Sequence, residues 1–121
     1  VPTINIDGAV SVEGATMGLV EVLQKLAPFG TGNAEPRFAF SNVRIAKSDV
    51  VGVNHVRCFL TGLDSKKQLA AIAFHCVDTE LGRALLRHKG LPLHIVGRLR
   101  ENIWQGRSSV QLLIDDVAPA S

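Results

Sequence analysis

The chain changes from helical to strand-like spacing across Leu26-Ala27-Pro28-Phe29-Gly30-Thr31-Gly32-Asn33-Ala34-Glu35-Pro36. The glycines, prolines and asparagine of this stretch favour backbone dihedrals that few other residues adopt. A flexible linker would not need the apolar Phe29 at its centre. The stretch therefore predicts a structured turn, built on Pro28, Phe29, Gly30, Gly32, Asn33, Glu35 and Pro36.

The part before this turn is predicted to hold one helix. Residues 2–12 look extended, with a break at Gly8, and residues 15–27 place Met17, Val20, Leu23 and Leu26 on one helical face. Pro28 cannot continue a helix, so the helix ends before it. Residues 1–36 are thus predicted to lead into the main fold, which residues 37–121 form within a single compact domain.

The remainder of the chain alternates with the period of two that marks strands. The first strand begins at Arg37, and its apolar positions shift by one residue, which predicts a bulge near Ser41-Asn42. Further strands are predicted over residues 55–61, 68–74, 91–101 and 108–117. A short helix, capped by Asp78 or Thr79, separates the third strand from the fourth. With the first helix packed on the strands, this order predicts an all-β fold with accessory helices: the OB fold, a five-stranded Greek-key barrel.

Bulk properties point to a folded domain of a longer protein. At 121 residues the chain can bury a core, and its start at Val1-Pro2 without Met suggests a piece of a larger chain. No apolar run approaches the length of a membrane span, and no signal peptide precedes the fold, so we expect no membrane partner and a cytoplasmic location. Cys58 and Cys76 lie among apolar residues and are expected to be buried thiols, with no metal site.

Charge is unevenly distributed along the chain. The net charge is −3 over residues 1–36, +7 over residues 37–107 and −2 over residues 108–121. A basic strand region between acidic ends indicates an anionic partner. The alternative is that these charges only keep the strand faces solvated.

The outward positions of the second strand carry the strongest binding pattern. His55, Arg57 and Phe59 alternate with core residues, and an exposed ring beside cations is typical of single-stranded nucleic-acid sites. We expect the loops on either side to add Lys47 in the first and Trp104, Gln105 and Arg107 in the second. Strand and turn positions add phosphate contacts from Arg37, Arg44, Lys66, Lys67, Arg98 and Arg100. Two alternatives stay open: Phe59 lies beneath the first helix, or Trp104 closes the end of the barrel.

The sequence offers little for catalysis. Gly30-Thr31-Gly32 follows a helix and has Glu35 where a dinucleotide loop needs its third glycine, so a structural turn is the better interpretation. Asp115 and Asp116 are adjacent and would point to opposite faces of a strand. We therefore expect no catalytic residue and no metal or other cofactor in this chain, and a self-sufficient small hydrolase would need carboxylates that the sequence does not bring together.

Four segments together carry a family resemblance. Residues 28–36 read PFGTGNAEP, residues 101–116 read ENIWQGRSSVQLLIDD, and shorter elements are His55-Val56-Arg57 and Ala73-Phe74. The combination, from about Leu26 to Val117, resembles the C-terminal OB domain of the RecJ family, bacterial exonucleases specific for single-stranded DNA.

This resemblance implies the function of the longer protein. Members of the family degrade single-stranded DNA from the 5′ end in recombination and repair, with Mn²⁺ or Mg²⁺ held in DHH and DHHA1 domains. The resemblance implies that this chain is non-catalytic and helps to bind the single strand. The alternative is an interaction module that contacts the DHH and DHHA1 domains or a single-strand-binding protein.

Overall fold

The computed structural model describes residues 7–26, 35–62, 67–87 and 90–120. Within these ranges the chain forms six strands and two helices. Their order is β1 (Gly8–Ala9), α1 (Met17–Leu26), β2 (Phe38–Val51), β3 (His55–Thr61), β4 (Gln68–Ala73), α2 (Glu80–Arg87), β5 (Leu93–Trp104) and β6 (Arg107–Pro119). The prediction of a mostly-β fold with a helix between the third and fourth main strands is confirmed, and the count of five strands is wrong.

All six strands belong to one sheet, in the order β1-β2-β3-β4-β6-β5, and β2 also pairs with β5. The start of β2 pairs with β5 and its later part with β3, so the five longer strands form a closed ring of hydrogen-bonded pairs. The extra strand, β1, runs parallel to β2 at Phe38 and Ala39. This strand includes Gly8, where the sequence predicted a break in an extended segment. Backbone hydrogen bonds hold a strand of two residues, which is too short to show side-chain alternation, so the sequence pattern could not indicate it.

The long strand β2 contains the predicted bulge. Its register against β5 shifts between Phe40 and Val43, and Asn42 has a φ of 53°. Asparagine tolerates this left-handed conformation better than most residues, so the sequence carries the bulge where the ladder needs it. A second shift, between Ile45 and Lys47, lies within the part of β2 that pairs with β3.

The core fills the inside of the ring. As predicted, Val56, Cys58 and Leu60 of β3 are fully buried, and alternate residues in parts of β5 and β6 are buried with them: Leu93, Ile95, Leu99, Leu112 and Ile114. The helix α1 lies against β5 and β6 and inserts Val20, which is 1% exposed. Val110, near the start of β6, is only partly buried against this core.

The second helix begins at a defined cap. The Thr79 hydroxyl donates to the Cys76 carbonyl at 2.6 Å and accepts from the backbone N–H of Gly82 at 3.2 Å, so Thr79 is the cap that the sequence left open between two residues. A Cβ on Gly82 would lie 1.9 Å from the Cys76 carbonyl oxygen. The absence of a side chain therefore lets α2 fold back tightly on the preceding turn.

In the hairpin between β5 and β6, the paired strands are longer and the turn is shorter than predicted. The sequence suggested a turn over residues 102–107, but Trp104 and Arg107 are still paired, and only Gln105 and Gly106 form the turn. Both have positive φ, 49° and 76°, which is the backbone of a two-residue type I′ hairpin. All side chains from residue 102 to residue 109 are exposed, so the alternation that marks a strand is missing there.

Neither helix in the described part of the chain combines the length and the apolar character that crossing a membrane requires.

Candidate nucleic-acid interface

The outward face of β3 presents a cation above an aromatic ring. The guanidinium carbon of Arg57 lies 5.9 Å from the centroid of Phe59, within the range of a cation–π contact. Arg57 also approaches Asp49 of β2, with 3.9 Å between Nη2 and Oδ2, and its side chain stays 46% exposed. The pair is therefore open to solvent on the strand face that the sequence singled out.

The neighbouring part of β2 adds a second cation. Lys47 was predicted to lie in a loop, but β2 continues to Val51, and the register places Lys47 directly beside Phe59. Its Nζ lies 3.9 Å from Asp49 Oδ2, and the side chain is 65% exposed. Because β2 is longer than predicted, Lys47 lies on the same strand face as Arg57 and closer to Phe59 than a loop position would place it.

Phe59 lies at the edge of the first helix. It is half-buried and lines a groove of about 520 Å³. The other lining residues include Ala15 and Thr16 just before α1, Met17 at its start, and Gln68 and Ala70 of β4. Lys67, which is exposed, lines the same groove. The alternative placement beneath the helix thus holds for part of the ring only.

Two pairs of outward residues on different strands share the same rows of the sheet. Arg57 of β3 lies opposite Ile72 of β4, Ile72 lies opposite Leu113 of β6, and Leu113 lies opposite Arg98 of β5, so Arg57 and Arg98 are in one row across the sheet. One row along, Phe59 is connected through Ala70 and Gln111 to Arg100. Three strand spacings of about 4.8 Å separate the members of each row, roughly 14 Å along the surface. The predicted cations of β3 and β5 therefore lie on one continuous outer wall.

The arginines of β5 are held by carboxylates. Arg100 donates two hydrogen bonds to Glu35, and Arg98 donates two to Asp115, with Nε–Oδ2 at 3.2 Å and Nη2–Oδ1 at 3.1 Å. Arg98 also lies 3.6 Å from Glu35, and Arg37 Nε lies 3.2 Å from Asp115 Oδ2. These five side chains form one network, so the predicted phosphate contacts Arg37, Arg98 and Arg100 each have a carboxylate partner.

The charge of Glu35 is favoured by this network. Burial alone would raise the pKa of Glu35, but the hydrogen bonds and the positive charge of Arg100, together with Arg98, outweigh it and hold the pKa below its ordinary value. The hydrogen bond to Glu35 in turn raises the pKa of Arg100. Glu35, which the sequence placed in the predicted turn before the strands, therefore contacts two arginines of β5.

Two of these arginines differ from their expected placement. Arg37 precedes β2, which begins at Phe38, because its backbone pairs with Asp7 instead of the sheet. Arg98 is only half-exposed. Arg44 is exposed on β2 as predicted, but its Nη1 donates to the Gly90 carbonyl at 2.9 Å. That contact ties Arg44 to the turn after α2.

The hairpin tip carries the most exposed aromatic side chain of the candidate set. Trp104 is 70% exposed and Ile103 65%, so Trp104 does not close the end of the barrel. Trp104 ends β5 and Arg107 begins β6, which leaves Gln105 as the predicted loop residue that lies in the turn itself. All three are exposed and available to a ligand.

Some predicted residues lie outside the described ranges: Lys66 and the turn residues Pro28, Phe29, Gly30, Gly32 and Asn33. The last two residues of that turn are described. Glu35 and Pro36 line a groove of about 340 Å³ between α1 and β5, together with Val20, Leu23 and Leu99.

Sequence reasoning missed the acidic members of the interface. Asp49 is the cross-strand partner of Arg57, and Asp115 bridges Arg37 and Arg98. The sequence showed that Asp115 and Asp116 point to opposite sides of β6, and the structure gives them different surroundings, half-buried and exposed. Asp49 was missed because it lies two residues after Lys47, in a stretch that the sequence predicted as a loop and that the structure shows to be part of β2.

Groups of metal-binding type are not gathered in the part of the chain that the structure describes, where no three His, Cys, Asp or Glu side chains could hold an ion. Cys58 and Cys76 are free and buried, as predicted. Burial raises the pKa of Cys58 to about 12, and it also raises the pKa of Cys76.

Comparison with known proteins identifies the family. The RecJ OB domain family matches residues 6–116, nearly the whole chain. This chain belongs to the RecJ OB domain family. Its sequence is similar to the single-stranded-DNA-specific exonuclease RecJ of Bacillus subtilis, 26% identical over 98% of this chain, and to that of Dickeya dadantii, 30% identical over 93%. The chain spans only 14% and 19% of the length of these two relatives.

Solved structures with a similar fold include a RecJ and a single-stranded DNA binding protein. RecJ of Thermus thermophilus, solved in complex with Mn²⁺, superposes with a TM-score of 0.56 at 23% identity, over 84% of this chain and 14% of that one. The yeast mitochondrial single-stranded DNA binding protein Rim1 superposes with a TM-score of 0.54 at 9% identity, over 69% of this chain and 91% of that one. At these identities the likeness shows a shared fold.

Proposed function

We propose that this chain is the single-stranded-DNA-binding OB domain of a RecJ-like 5′–3′ exonuclease and catalyses nothing by itself. The observation that carries the proposal is the outer wall on which Arg57 covers Phe59 and shares sheet rows with Arg98 and Arg100. Membership of the RecJ OB domain family and the fold shared with a single-stranded DNA binding protein support it.

The closed ring of β2 to β6 corresponds, in this proposal, to the five-stranded Greek-key barrel of the OB type, and β1 is an addition at the edge of β2. OB barrels bind oligonucleotides across the face of their second and third strands, which are β3 and β4 here. The loop between the last two strands frames that face, and here it is the hairpin tip with Trp104.

The two kinds of side chain on this wall would serve different parts of the strand. Lys47, Arg57 and Arg107 would meet phosphates, which gives affinity that depends on salt and little on sequence. Phe59 and Trp104 would stack on bases, and each stacked base contributes roughly 1–3 kcal/mol whatever its identity. The carboxylate-held Arg98 and Arg100 would add positive potential and fixed donors at the edge of the path.

The longer protein would supply the chemistry. We propose that this domain lies C-terminal to DHH and DHHA1 domains, which would hold the Mn²⁺ or Mg²⁺ that hydrolysis of the strand needs. The RecJ relatives, one solved with Mn²⁺, support this assignment. A cytoplasmic role in recombination and repair follows from the same proposal.

The test is titration of a fluorescein-labelled (dT)₂₀ strand with the 121-residue chain, followed by anisotropy between about 20 and 200 mM salt. We expect a micromolar dissociation constant and binding that weakens with salt. In a plot of the logarithm of the binding constant against the logarithm of the salt concentration, each phosphate contact should add about −0.7 to the slope. Arg57→Gln should weaken binding and reduce that slope by about this amount. Arg87→Gln, an equal loss of charge on α2, is the matched control and should leave both unchanged. Absence of binding at the lowest salt would contradict the proposal.

A second candidate function is a protein contact. Val22 and Leu26 of α1 are 54% and 55% exposed, although both are large and apolar. Such residues favour an interaction module that meets the catalytic domains or a single-strand-binding protein. Failure to bind (dT)₂₀, with retained affinity for a catalytic fragment, would favour this alternative.

A further inference from the structure

Three rings gather at the beginning of β3, at the opposite end of this strand from Phe59. The centroids of His55 and Phe74 are 5.2 Å apart, and those of His55 and His75 are 4.6 Å apart. Both pairs meet edge to face, with interplanar angles of 80° and 74°. This is the favourable geometry for aromatic pairs, so the rings support one another on the surface.

Hydrogen bonds hold this cluster in place. The backbone N–H of His75 donates to Nδ1 of His55 at 2.9 Å, which leaves the proton of a neutral His55 ring on Nε2. His75 has a φ of 52°, and its Nδ1 lies 3.3 Å from the side-chain oxygen of Asn54. The backbone N–H groups of Cys76 and Val77 both donate to the Asn54 carbonyl. The rings are therefore positioned before any ligand arrives.

The cluster continues the outward row of β3. Val56 pairs with Ala73, so His55 and Phe74 are the next neighbours across the strands, on the face that also carries Arg57 and Phe59. Successive outward residues of a strand are about 6.8 Å apart, which makes His55, Arg57 and Phe59 a track of roughly 14 Å. Phe74 is 52% exposed at the end of this track.

We propose that His55 and Phe74 form a second base-stacking platform, at the end of the single-strand path remote from Phe59. The proposal rests on the function proposed above and names residues that extend its site. The cluster adjoins Arg57, so a stacked base there would have its phosphate close to a cation. The Nε2 proton of His55 and the amide of Asn54 add polar groups beside the rings. A polyanion with flat bases fits this combination, whereas a purely apolar partner would leave the cation without a role.

The first experiment compares variants of the 121-residue chain in (dT)₂₀ binding. Phe74→Ala should weaken binding at least about fivefold, the factor that corresponds to ~1 kcal/mol for one stacked base. Val53→Ala removes apolar surface from the neighbouring turn, where Val53 is 93% exposed, and should leave affinity unchanged. An abasic strand of the same length should bind wild type and Phe74→Ala equally, because it has no base to stack.

The second experiment detects the stack directly. In the double variant Trp104→Phe, Phe74→Trp, the single tryptophan reports on the cluster, and (dT)₂₀ should quench its fluorescence while the abasic strand should not. Wild-type binding with no loss in Phe74→Ala and no quenching would overturn the platform and leave the proposed function standing. That result would assign the cluster to a protein contact. Failure of the wild type to bind would overturn both proposals.

Discussion

The guanidinium of Arg100 meets the carboxylate of Glu35 through two parallel hydrogen bonds, Nε to Oε2 at 2.8 Å and Nη2 to Oε1 at 2.6 Å. This paired geometry is the strongest form of a charge-assisted contact. Glu35 lies three residues before the start of β2, and Arg100 lies far along the chain in β5. The pair therefore fastens the chain segment before the sheet to the strand that closes it.

Removing the charge of Glu35 should cost stability. Glu35→Gln leaves Arg100 without its anionic partner, whereas Arg98 keeps Asp115, and we expect the free energy of unfolding at pH 7 to fall by about 1 kcal/mol. Hydrogen bonds to charged groups contribute ~1.5–3 kcal/mol, and solvent reduces this here because the Arg100 side chain is 49% exposed. Urea unfolding followed by circular dichroism measures the change. The control is Glu13→Gln, at an exposed carboxylate in the turn before α1, and an equal loss there would contradict the assignment.

The same pair should make stability depend on pH in the acid range. The folded chain holds the pKa of Glu35 below its ordinary value of 4.5, so the folded state binds the carboxylate proton less readily than the unfolded state does. The stabilisation is therefore complete above about pH 4.5 and is lost as the pH falls through the lower, folded-state pKa. Unfolding measured from pH 7 to pH 3 should show the difference between wild type and Glu35→Gln shrinking below that point. A difference that grows with acidity would have the wrong sign and would refute the linkage.

Much of the fold could be predicted because its signals are local. The alternation of Val56, Cys58 and Leu60 set the limits of β3, and the phase shift near Asn42 located a bulge. The hairpin tip was missed because its side chains are all exposed and carry no alternation, so only the positive φ of Gln105 and Gly106 reveals where the turn lies. Backbone hydrogen bonds alone define β1, and no side-chain pattern could have shown it.

The sequence predicted which basic residues the candidate site contains, but it did not predict the ion pairs that these residues make with carboxylates. Arg37, Arg98 and Arg100 were chosen because strand alternation sends them outward, and each proves to contact a carboxylate. These carboxylates, Glu35 and Asp115, lie far from their partners in sequence. Long-range pairs of this kind depend on strand order and register, which the alternation of a single strand does not contain.

The two cysteines should be unreactive in the folded chain. Burial, with a smaller contribution from Cys76 and Asp49, raises the pKa of Cys58 to about 12, and burial also raises that of Cys76. The thiolate is the reactive form, so at pH 8 we expect almost no reaction with a disulfide reagent, and full reaction of both thiols in denaturant. Rapid labelling of either cysteine under native conditions would show that this part of the sheet opens.

Gly97 should tolerate no side chain. It lies where β5 shifts register against β6, just before Arg98, and a Cβ there would be 2.2 Å from the Leu113 carbonyl oxygen and 2.9 Å from Leu112 Cδ1. Because the first of these atoms is backbone, relief requires the two strands to separate. We expect Gly97→Ala to lower the free energy of unfolding by on the order of 2–3 kcal/mol, the range of overpacking in a filled interior.

A matched substitution elsewhere should have the opposite sign. Gly18 lies in α1, and the nearest atom to a Cβ there is Thr16 Oγ1 at 3.6 Å, an ordinary contact. Alanine favours the helix over glycine by about 0.5–1 kcal/mol, so Gly18→Ala should raise the free energy of unfolding slightly. Urea unfolding of both variants under one set of conditions compares them. Equal effects of the two substitutions on the free energy of unfolding would contradict the predicted clash of a Cβ at Gly97 with β6. Opposite effects would show that β5 and β6 can approach this closely only because Gly97 has no side chain.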